Sequence, residues 1–188
     1  MMLLDTTLLL KLLKPMKKMN DTNVSVVKTF KSEYVKIDFS INPIQTKTIL
    51  FCDENLEIIN EAILNTIKRK VLISLMITND KKMIDLNFKW RNIKKTTNVL
   101  SFPIKSKLIY DGYLLLGDIA ISNNQVLLES KERRIEFKNH FNHLLLHGTL
   151  HLLGFDHKTK EEELFMEKLE VEILKKFQIS NPYIQSEF

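Results

Sequence analysis

The sequence predicts an α+β protein of one domain, built from a small four-stranded sheet and about five helices. A chain of 188 residues has the length of one domain, and 44% hydrophobic with 27% charged residues is ordinary for a globular protein. Short segments in which apolar and polar residues alternate, or which are rich in β-branched residues, predict strands. Longer segments with apolar residues every three or four positions predict helices. Both kinds of segment are mixed along the chain, which is typical of an α+β domain.

Four segments predict the strands. Residues 35–41 alternate apolar and polar side chains, the period of a half-buried strand. Residues 71–78 are apolar and β-branched, which predicts a buried strand. The third and fourth strands are predicted at residues 97–103 and 114–122.

Five segments predict the helices. Asp53 predicts the N-cap of a helix that ends near Arg69. Asn79 or Asp80 caps a short helix that runs towards Trp90. The other three helices are predicted at residues 123–134, 135–153 and 158–177.

The predicted domain covers residues 35–183, and residues 184–188 form a C-terminal tail. Residues 1–34 are interpreted as a variable N-terminal extension that need not be ordered. Its apolar runs, Met1 to Leu4 and Leu8 to Leu10, are too short to span a bilayer. Its lysines follow the apolar stretch, whereas in a signal peptide they come first. A segment that lies on a membrane surface is the alternative.

Charge and cysteine content limit the classes of function. A net charge of +5 favours an anionic partner but does not by itself indicate nucleic-acid binding. The single cysteine, Cys52, excludes an internal disulfide framework and fits a reducing compartment. We therefore expect a cytoplasmic protein without a membrane partner.

The stretch from His147 to His157 carries the strongest functional signal. Its histidines fall at relative positions 0, 4 and 10, so His147 and His151 lie one turn apart on one face of a helix. Gly154 can end that helix in the left-handed conformation and turn the chain, which brings His157 to a third corner. Three protein ligands with an open fourth position are typical of a catalytic zinc site, whereas a structural zinc has four.

The same spacing occurs in the metzincin protease pattern H-E-x-x-H-x-x-G-x-x-H. Gly148, however, stands where such a protease carries its general-base glutamate. The sequence therefore predicts a metal-dependent hydrolase other than a zinc peptidase. Zinc, one ion per chain, is the expected cofactor, although imidazole ligands also suit other divalent transition metals.

The run HGTLHLLGFDH resembles the signature of the YbeY family of bacterial metal-dependent endoribonucleases. The resemblance covers about residues 35–183, and Asn98 stands where the family usually has aspartate. Further matches, in the order of the family, are Leu86-Asn87, Trp90-Arg91, Thr97 to Pro103, Gly117 to Ile119, Met166, Leu169-Glu170 and Asn181 to Tyr183.

The resemblance implies a single-strand-specific endoribonuclease that matures the 3′ end of small-subunit ribosomal RNA and acts in ribosome quality control. It implies single-stranded and ribosomal RNA as substrates and the small ribosomal subunit as partner, with no DNA expected. Arg91 matches the functionally important arginine of the family, which implies a catalytic role. Two alternatives are a zinc-dependent peptidase-like hydrolase and a non-catalytic ribosome-assembly factor stabilised by its metal.

Three further residues are weaker candidates for the site. His143 lies one turn before His147 and either faces the site or is a buried histidine bonded to a backbone carbonyl. Asp156 either binds the second nitrogen of a ligand imidazole or caps the last helix. Asp118 lies inside an apolar strand, where it either bonds within the site or anchors a loop.

Between Asp85 and Asp111 the chain has lysines and arginine but no acidic residue. Lysines neutralise phosphates, and an aromatic ring can stack on a base. The alternative is a solvated loop around a buried tryptophan. The candidate RNA-binding residues are Lys89, Trp90, Lys94 and Lys95.

Overall fold

The structure, a computed structural model, describes residues 26–41 and 53–184. These residues form six strands and five helices, which confirms the predicted α+β class and the predicted number of helices. In chain order the elements are β1 (Val26–Lys31), β2 (Val35–Ile41), α1 (Asp53–Thr66), β3 (Val71–Thr78), α2 (Asp80–Arg91), β4 (Val99–Pro103), β5 (Ile109–Tyr110), β6 (Tyr113–Ser122), α3 (Asn123–Glu132), α4 (Phe137–Leu152) and α5 (Lys160–Lys176). Cys52 lies outside the described residues.

The strands form one mixed sheet in the order β1-β2-β3-β6-β4, with β5 paired to β6 as well. Strands β2, β3 and β6 are parallel, whereas β1, β4 and β5 run antiparallel to their neighbours. The four predicted strands correspond to β2, β3, β4 and β6. The sheet is larger than predicted because β1 and β5 have no strong pattern of their own and are defined by pairing. Strand β1 lies inside the stretch 1–34 that was interpreted as an extension, and it pairs with β2. The domain boundaries stay predictions.

The main core lies between one face of the sheet and helices α1 and α4. The alternation of β2 places Ile37 and Phe39 inside, while α1 contributes Ile59 and Ile63. Burying each such side chain stabilises the fold by about 1.5–3 kcal/mol. Helix α4 packs directly on the sheet through Leu145, so the core fixes the position of the helix. The backbone that bears its histidines is therefore held in place as well.

A close approach between α4 and the sheet depends on Gly117 of β6. Its φ is +141°, and a Cβ there would lie 2.2 Å from the carbonyl oxygen of Phe102 and 3.1 Å from Leu152 Cδ2. Any side chain would therefore push β4 or α4 away. The opposite face of the sheet is covered by α2, whose Met83 packs on Leu100 and Ala120.

Helix α5 packs across α1 and α4 in a second cluster that includes Leu146, Met166 and Ile173. It begins at a capping box in which Thr159 and Glu162 satisfy each other's backbone N–H groups. This packing places the buried face of α5 against the histidine-bearing face of α4. Within residues 26–41 and 53–184, the helices are all too short or too polar to cross a membrane.

Candidate metal centre

The histidines of α4 lie along one side of the helix, and the helix ends beside the last of them. Gly154 has a φ of +96°, the left-handed conformation expected from the sequence. The N–H of Phe155 then bonds to the carbonyl of Leu150 at 3.0 Å, which turns the chain back towards α4. This turn carries His157 to the two helical histidines.

His147, His151 and His157 converge on one point. One ring nitrogen from each lies within 4.8 Å of the others. The ring centroid of His147 lies 4.6 Å from that of His151 and 5.5 Å from that of His157. The structure thus brings the three predicted ligands together in a cluster of a size that can hold one metal ion.

Hydrogen bonds on the far side of two rings fix their tautomers. His147 Nδ1 bonds to Glu170 Oε1 at 2.9 Å, and His151 Nδ1 bonds to the carbonyl oxygen of Phe155 at 3.0 Å. Because a carboxylate and a carbonyl only accept, both Nδ1 atoms carry the proton. When neither ring carries a second proton, the lone pairs of their Nε2 atoms point into the cluster.

Those two Nε2 atoms, of His147 and His151, are only 3.0 Å apart. Two lone pairs at this distance repel each other unless a positive charge lies near both. A metal ion bound by three imidazoles supplies that charge, and the bonds to Glu170 and Phe155 are of the kind that orients ligand histidines. The donor set therefore fits a divalent transition metal.

Hydrogen bonds keep the Glu170 carboxylate ionised, and burial favours the neutral form of His151. Burial alone would raise the pKa of Glu170, but the bonds from His143 and His147 outweigh it and lower the pKa to about 2. Burial lowers the pKa of His151, as do the neighbouring His147 and His157. Neutral imidazole is the form that binds metals.

Asp156 takes neither of the two roles that the sequence left open. Its carboxylate accepts the backbone N–H of His157 at 2.9 Å and a bond from Lys158 Nζ. The ring of His151 is held by the Phe155 carbonyl, and Thr159 caps the last helix. Asp156 therefore stabilises the turn that presents His157.

His143 is buried and 8% exposed, as one alternative expected. Its partner, however, is a carboxylate, since Nε2 lies 2.9 Å from Glu170 Oε2, and Nδ1 has no hydrogen-bond partner within the described residues. Burial lowers the pKa of His143, although Glu170 opposes this shift. His143 thus touches the cluster through Glu170.

The structure does not bring Asp118 to the histidines. Its neighbour Ile119 faces α4, because a Cβ on Gly148 would lie 3.2 Å from Ile119 Cγ2. Side chains alternate along β6, so Asp118 points to the opposite, α2-covered face. There it pairs across the sheet with Ser74, and burial raises its pKa to about 6 against the effect of the Ser74 hydroxyl.

Gly148 is buried in the contact between α4 and the sheet. A Cβ at this position would lie 3.0 Å from Ser101 Oγ and 3.2–3.3 Å from two atoms of Ile119. A glutamate there would force the side chains of Ser101 and Ile119, or α4 itself, to move. The packing thus accounts for the missing peptidase base.

Arg91 is exposed at the last position of α2, followed by Asn92 in the left-handed C-cap conformation. Trp90 is half-buried, with its ring 5.8 Å from that of Phe102 and Lys89 Nζ 5.1 Å from its centroid. Lys94 and Lys95 are exposed. Elements of both interpretations of this stretch are therefore present, a packed tryptophan within a basic, solvent-facing surface.

Three residues of functional interest were missed by the sequence analysis. Glu170 and Tyr183 belong to the motifs of the family resemblance, but their role at the site was not predicted. A carboxylate four residues after Met166, on the apolar stripe of α5, is itself a signal. Phe88 is 52% exposed beside the basic residues, where an aromatic ring is free to stack. Exposure of a single aromatic cannot be seen in a sequence pattern.

Asn98 has a clear structural reason to be an amide. Its Nδ2 donates to Glu129 Oε2 at 3.0 Å, and the same oxygen lies 2.6 Å from His140 Nε2. An aspartate at position 98 would place two carboxylates in contact. Asparagine at position 98, where the family usually has aspartate, therefore goes together with the carboxylate of Glu129, which accepts its hydrogen bond.

Fold and site together define a class: α+β enzymes with an open three-histidine centre and no peptidase base. The family model described as endoribonuclease YbeY matches residues 36–178. The chain belongs to the endoribonuclease YbeY family. This confirms the predicted enzyme class and favours it over a peptidase or a non-catalytic assembly factor.

Curated relatives named endoribonuclease YbeY agree with the family match. The protein of Bartonella quintana is 47% identical over 60% of this chain and 72% of its own length. That of Bartonella bacilliformis is 41% identical over 70% of this chain and 94% of its own length. The protein of Bartonella henselae is 45% identical over 60% of this chain and 72% of its own length.

Proposed function

We propose that this endoribonuclease is zinc-dependent and cleaves single-stranded RNA, with zinc bound by His147, His151 and His157. The observation that carries the proposal is the pair of Nε2 atoms that face each other at 3.0 Å, with their tautomers fixed from behind. The exposed position of His157 leaves the cluster open on one side, as a catalytic ion requires.

An open cavity of about 210 Å³ adjoins the cluster and gives room for part of a substrate. When bound, a zinc ion with three imidazole ligands supplies a Lewis acid and lowers the pKa of a water molecule towards neutrality. His147 and His157 line the cavity together with Glu163 and Glu167, so a phosphodiester beside the two rings requires the positive charge of the bound ion. Either water or the ribose 2′-hydroxyl serves as the nucleophile.

Arg91 is proposed as the catalytic arginine. Cleavage of a phosphodiester builds negative charge on the phosphoryl oxygens, and a guanidinium binds two such oxygens while staying charged. Arg91 is exposed and forms the end of α2, so its side chain is available to substrate.

Lys89, Lys94 and Lys95 are proposed to bind the RNA backbone, since all three are exposed and the surrounding stretch lacks acidic groups. Trp90 helps to position this surface, because its ring packs on Phe102 and Lys89 Nζ lies over it. The exposed ring of Phe88 is the better candidate for stacking on a base.

The proposed substrate is ribosomal RNA, at the 3′ end of the small-subunit RNA, with the small ribosomal subunit as partner and quality control of ribosomes as a further role. Family membership supports this substrate, and the net charge of +5 suits an anionic partner. A cytoplasmic location is proposed with it.

The test combines elemental analysis of the purified protein with RNA cleavage before and after chelation. We expect one zinc per chain, loss of cleavage on chelation and recovery when zinc is added back. Unchanged cleavage by metal-free protein would contradict metal dependence. Cleavage of casein under the same conditions would instead favour the peptidase alternative.

A further inference from the structure

A buried carboxylate connects two histidines of α4. Glu170 of α5 has no solvent exposure, and its two oxygens have different partners. Oε1 accepts from His147 Nδ1 at 2.9 Å, and Oε2 accepts from His143 Nε2 at 2.9 Å. The two donors lie one helical turn apart, so together they hold the carboxylate in one orientation.

Tyr183 adds a third partner from the segment that follows α5. Its hydroxyl donates to Glu170 Oε2, and its ring meets that of His143 edge-on, with the centroids 5.5 Å apart. Arg133 donates to the carbonyl of Pro182 and so holds this segment against the turn between α3 and α4. The C-terminal segment therefore reaches the histidine cluster through one carboxylate.

We propose that Glu170 and Tyr183 are positioning residues of the metal centre, an inference that rests on the metal-dependent function proposed above. Glu170 keeps the proton on His147 Nδ1 and so presents Nε2 to the ion. Tyr183 binds Oε2 and prevents the carboxylate from rotating away from His147. Loss of such a partner typically lowers metal affinity by about 10–100-fold.

Three variants and one control test this inference on the full chain. Glu170→Gln keeps the size of the side chain but offers His143 and His147 only one acceptor atom. Tyr183→Phe removes a single hydroxyl, and the double variant combines both changes. The control is Glu172→Gln, whose side chain is 61% exposed and lies 3.9 Å from Lys168 Nζ.

Zinc affinity is measured by competition with a chelator, and ligand geometry by the absorption spectrum of cobalt-substituted protein. We expect Glu170→Gln to lower the affinity by about 10–100-fold and to alter the cobalt spectrum at full occupancy. Tyr183→Phe should lower it by about fivefold, the scale of one hydrogen bond. The double variant should bind like Glu170→Gln alone, because Tyr183 acts through Glu170, and Glu172→Gln should match the wild type.

Wild-type affinity in both single variants would overturn the inference, as would an unchanged cobalt spectrum in Glu170→Gln. Losses that add in the double variant would show that Tyr183 does not act through Glu170. A wild-type protein that binds no metal would contradict the proposed function, whereas a wild-type protein that binds metal with unaffected variants contradicts only the positioning roles.

Discussion

At the scale of single residues, the proposed metal site depends on which nitrogen of each ligand histidine carries the proton. Glu170 and the Phe155 carbonyl only accept hydrogen bonds, so they fix a proton on the Nδ1 atoms of His147 and His151. A bound cation would relieve the repulsion between their facing Nε2 atoms, which lie 3.0 Å apart. Each of these residues therefore gives a specific, measurable consequence when it is changed.

His151→Ala removes one of three proposed ligands. We expect it to abolish stoichiometric zinc binding and to lower the thermal midpoint of zinc-loaded protein, because metal binding favours the folded state. Elemental analysis and thermal unfolding with and without zinc measure both effects. The metal-free wild type is the control, and a variant that still holds one zinc with wild-type affinity would refute the site.

Arg91→Ala should lower the rate of RNA cleavage by roughly 100-fold or more, the scale of losing one group that stabilises developing charge. Metal content and folding should not change, since Arg91 is exposed and forms no part of the cluster. Arg91→Lys should recover only part of the rate, because an ammonium lacks the planar fork. Near-normal cleavage by zinc-loaded Arg91→Ala would remove this residue from the mechanism.

Asp118 makes the stability of the protein depend on pH. Burial raises its pKa from 3.8 to about 6. Between these two pH values the folded protein retains a proton that the unfolded chain has lost. The stability is highest below pH 3.8 for this group and falls as pH rises to about 6. Asp118→Asn mimics the protonated form and should remove this loss, a gain of up to about 3 kcal/mol at neutral pH. Denaturant unfolding at several pH values measures it, and an equal pH dependence in both proteins would contradict the assignment.

At the scale of elements, α4 is both the centre of the core and the support of the site. Leu145 and Gly148 pack on the sheet while His147 and His151 point to the other side. The rigid packing of α4 sets the direction of both imidazoles, and the turn at Gly154 adds His157. A change on the packed face of α4 should therefore be felt at the site.

Gly148→Glu restores the protease-like pattern, yet we expect no peptidase activity. Its Cβ meets Ser101 and Ile119 at 3.0–3.3 Å, so the longer side chain displaces α4 and lowers RNA cleavage. Gly148→Ala is the matched control. There, overpacking of about 1–3 kcal/mol is offset in part by about 1 kcal/mol of helix propensity. Casein and RNA assays, with unfolding of both variants, measure this, and a Gly148→Glu protein that cleaves casein would contradict it.

The elements differed in how well the sequence predicted them. Four strands and all five helices were predicted, because their apolar, β-branched or capping residues give a local signal. Strand β1 was missed because it is ordered by pairing with β2. Strand β5 was missed because it has only two residues, Ile109 and Tyr110. Local pattern cannot contain information that lies in another segment of the chain.

The same distinction applies to the site. The three histidines were predicted because their spacing fits one helix and one turn, which is local information. Glu170 comes from α5, and Tyr183 from beyond it, so only tertiary packing brings them to His147. Asp118 was placed among the candidates because sequence order cannot tell which face of the sheet it occupies.

At the scale of the whole molecule, the edge strand β4 contacts both regions of proposed chemistry, through Ser101 beside α4 and Phe102 beside Trp90. The histidine cluster lies on the side of α4 and α5, whereas α2, on the other face, ends in Arg91 and the basic stretch with Lys94 and Lys95. The catalytic role proposed for Arg91 therefore requires its side chain to reach a phosphate at the histidine cluster. The proposed function requires both regions to act on one substrate.

The most direct test of the central claim is a zinc titration of metal-free protein in which bound zinc and RNA cleavage are measured in the same sample. The proposal predicts that cleavage is absent at the start, rises in proportion to bound zinc and reaches its maximum at one zinc per chain. Full cleavage without bound metal, or a maximum unrelated to occupancy of the His147, His151 and His157 cluster, would contradict it.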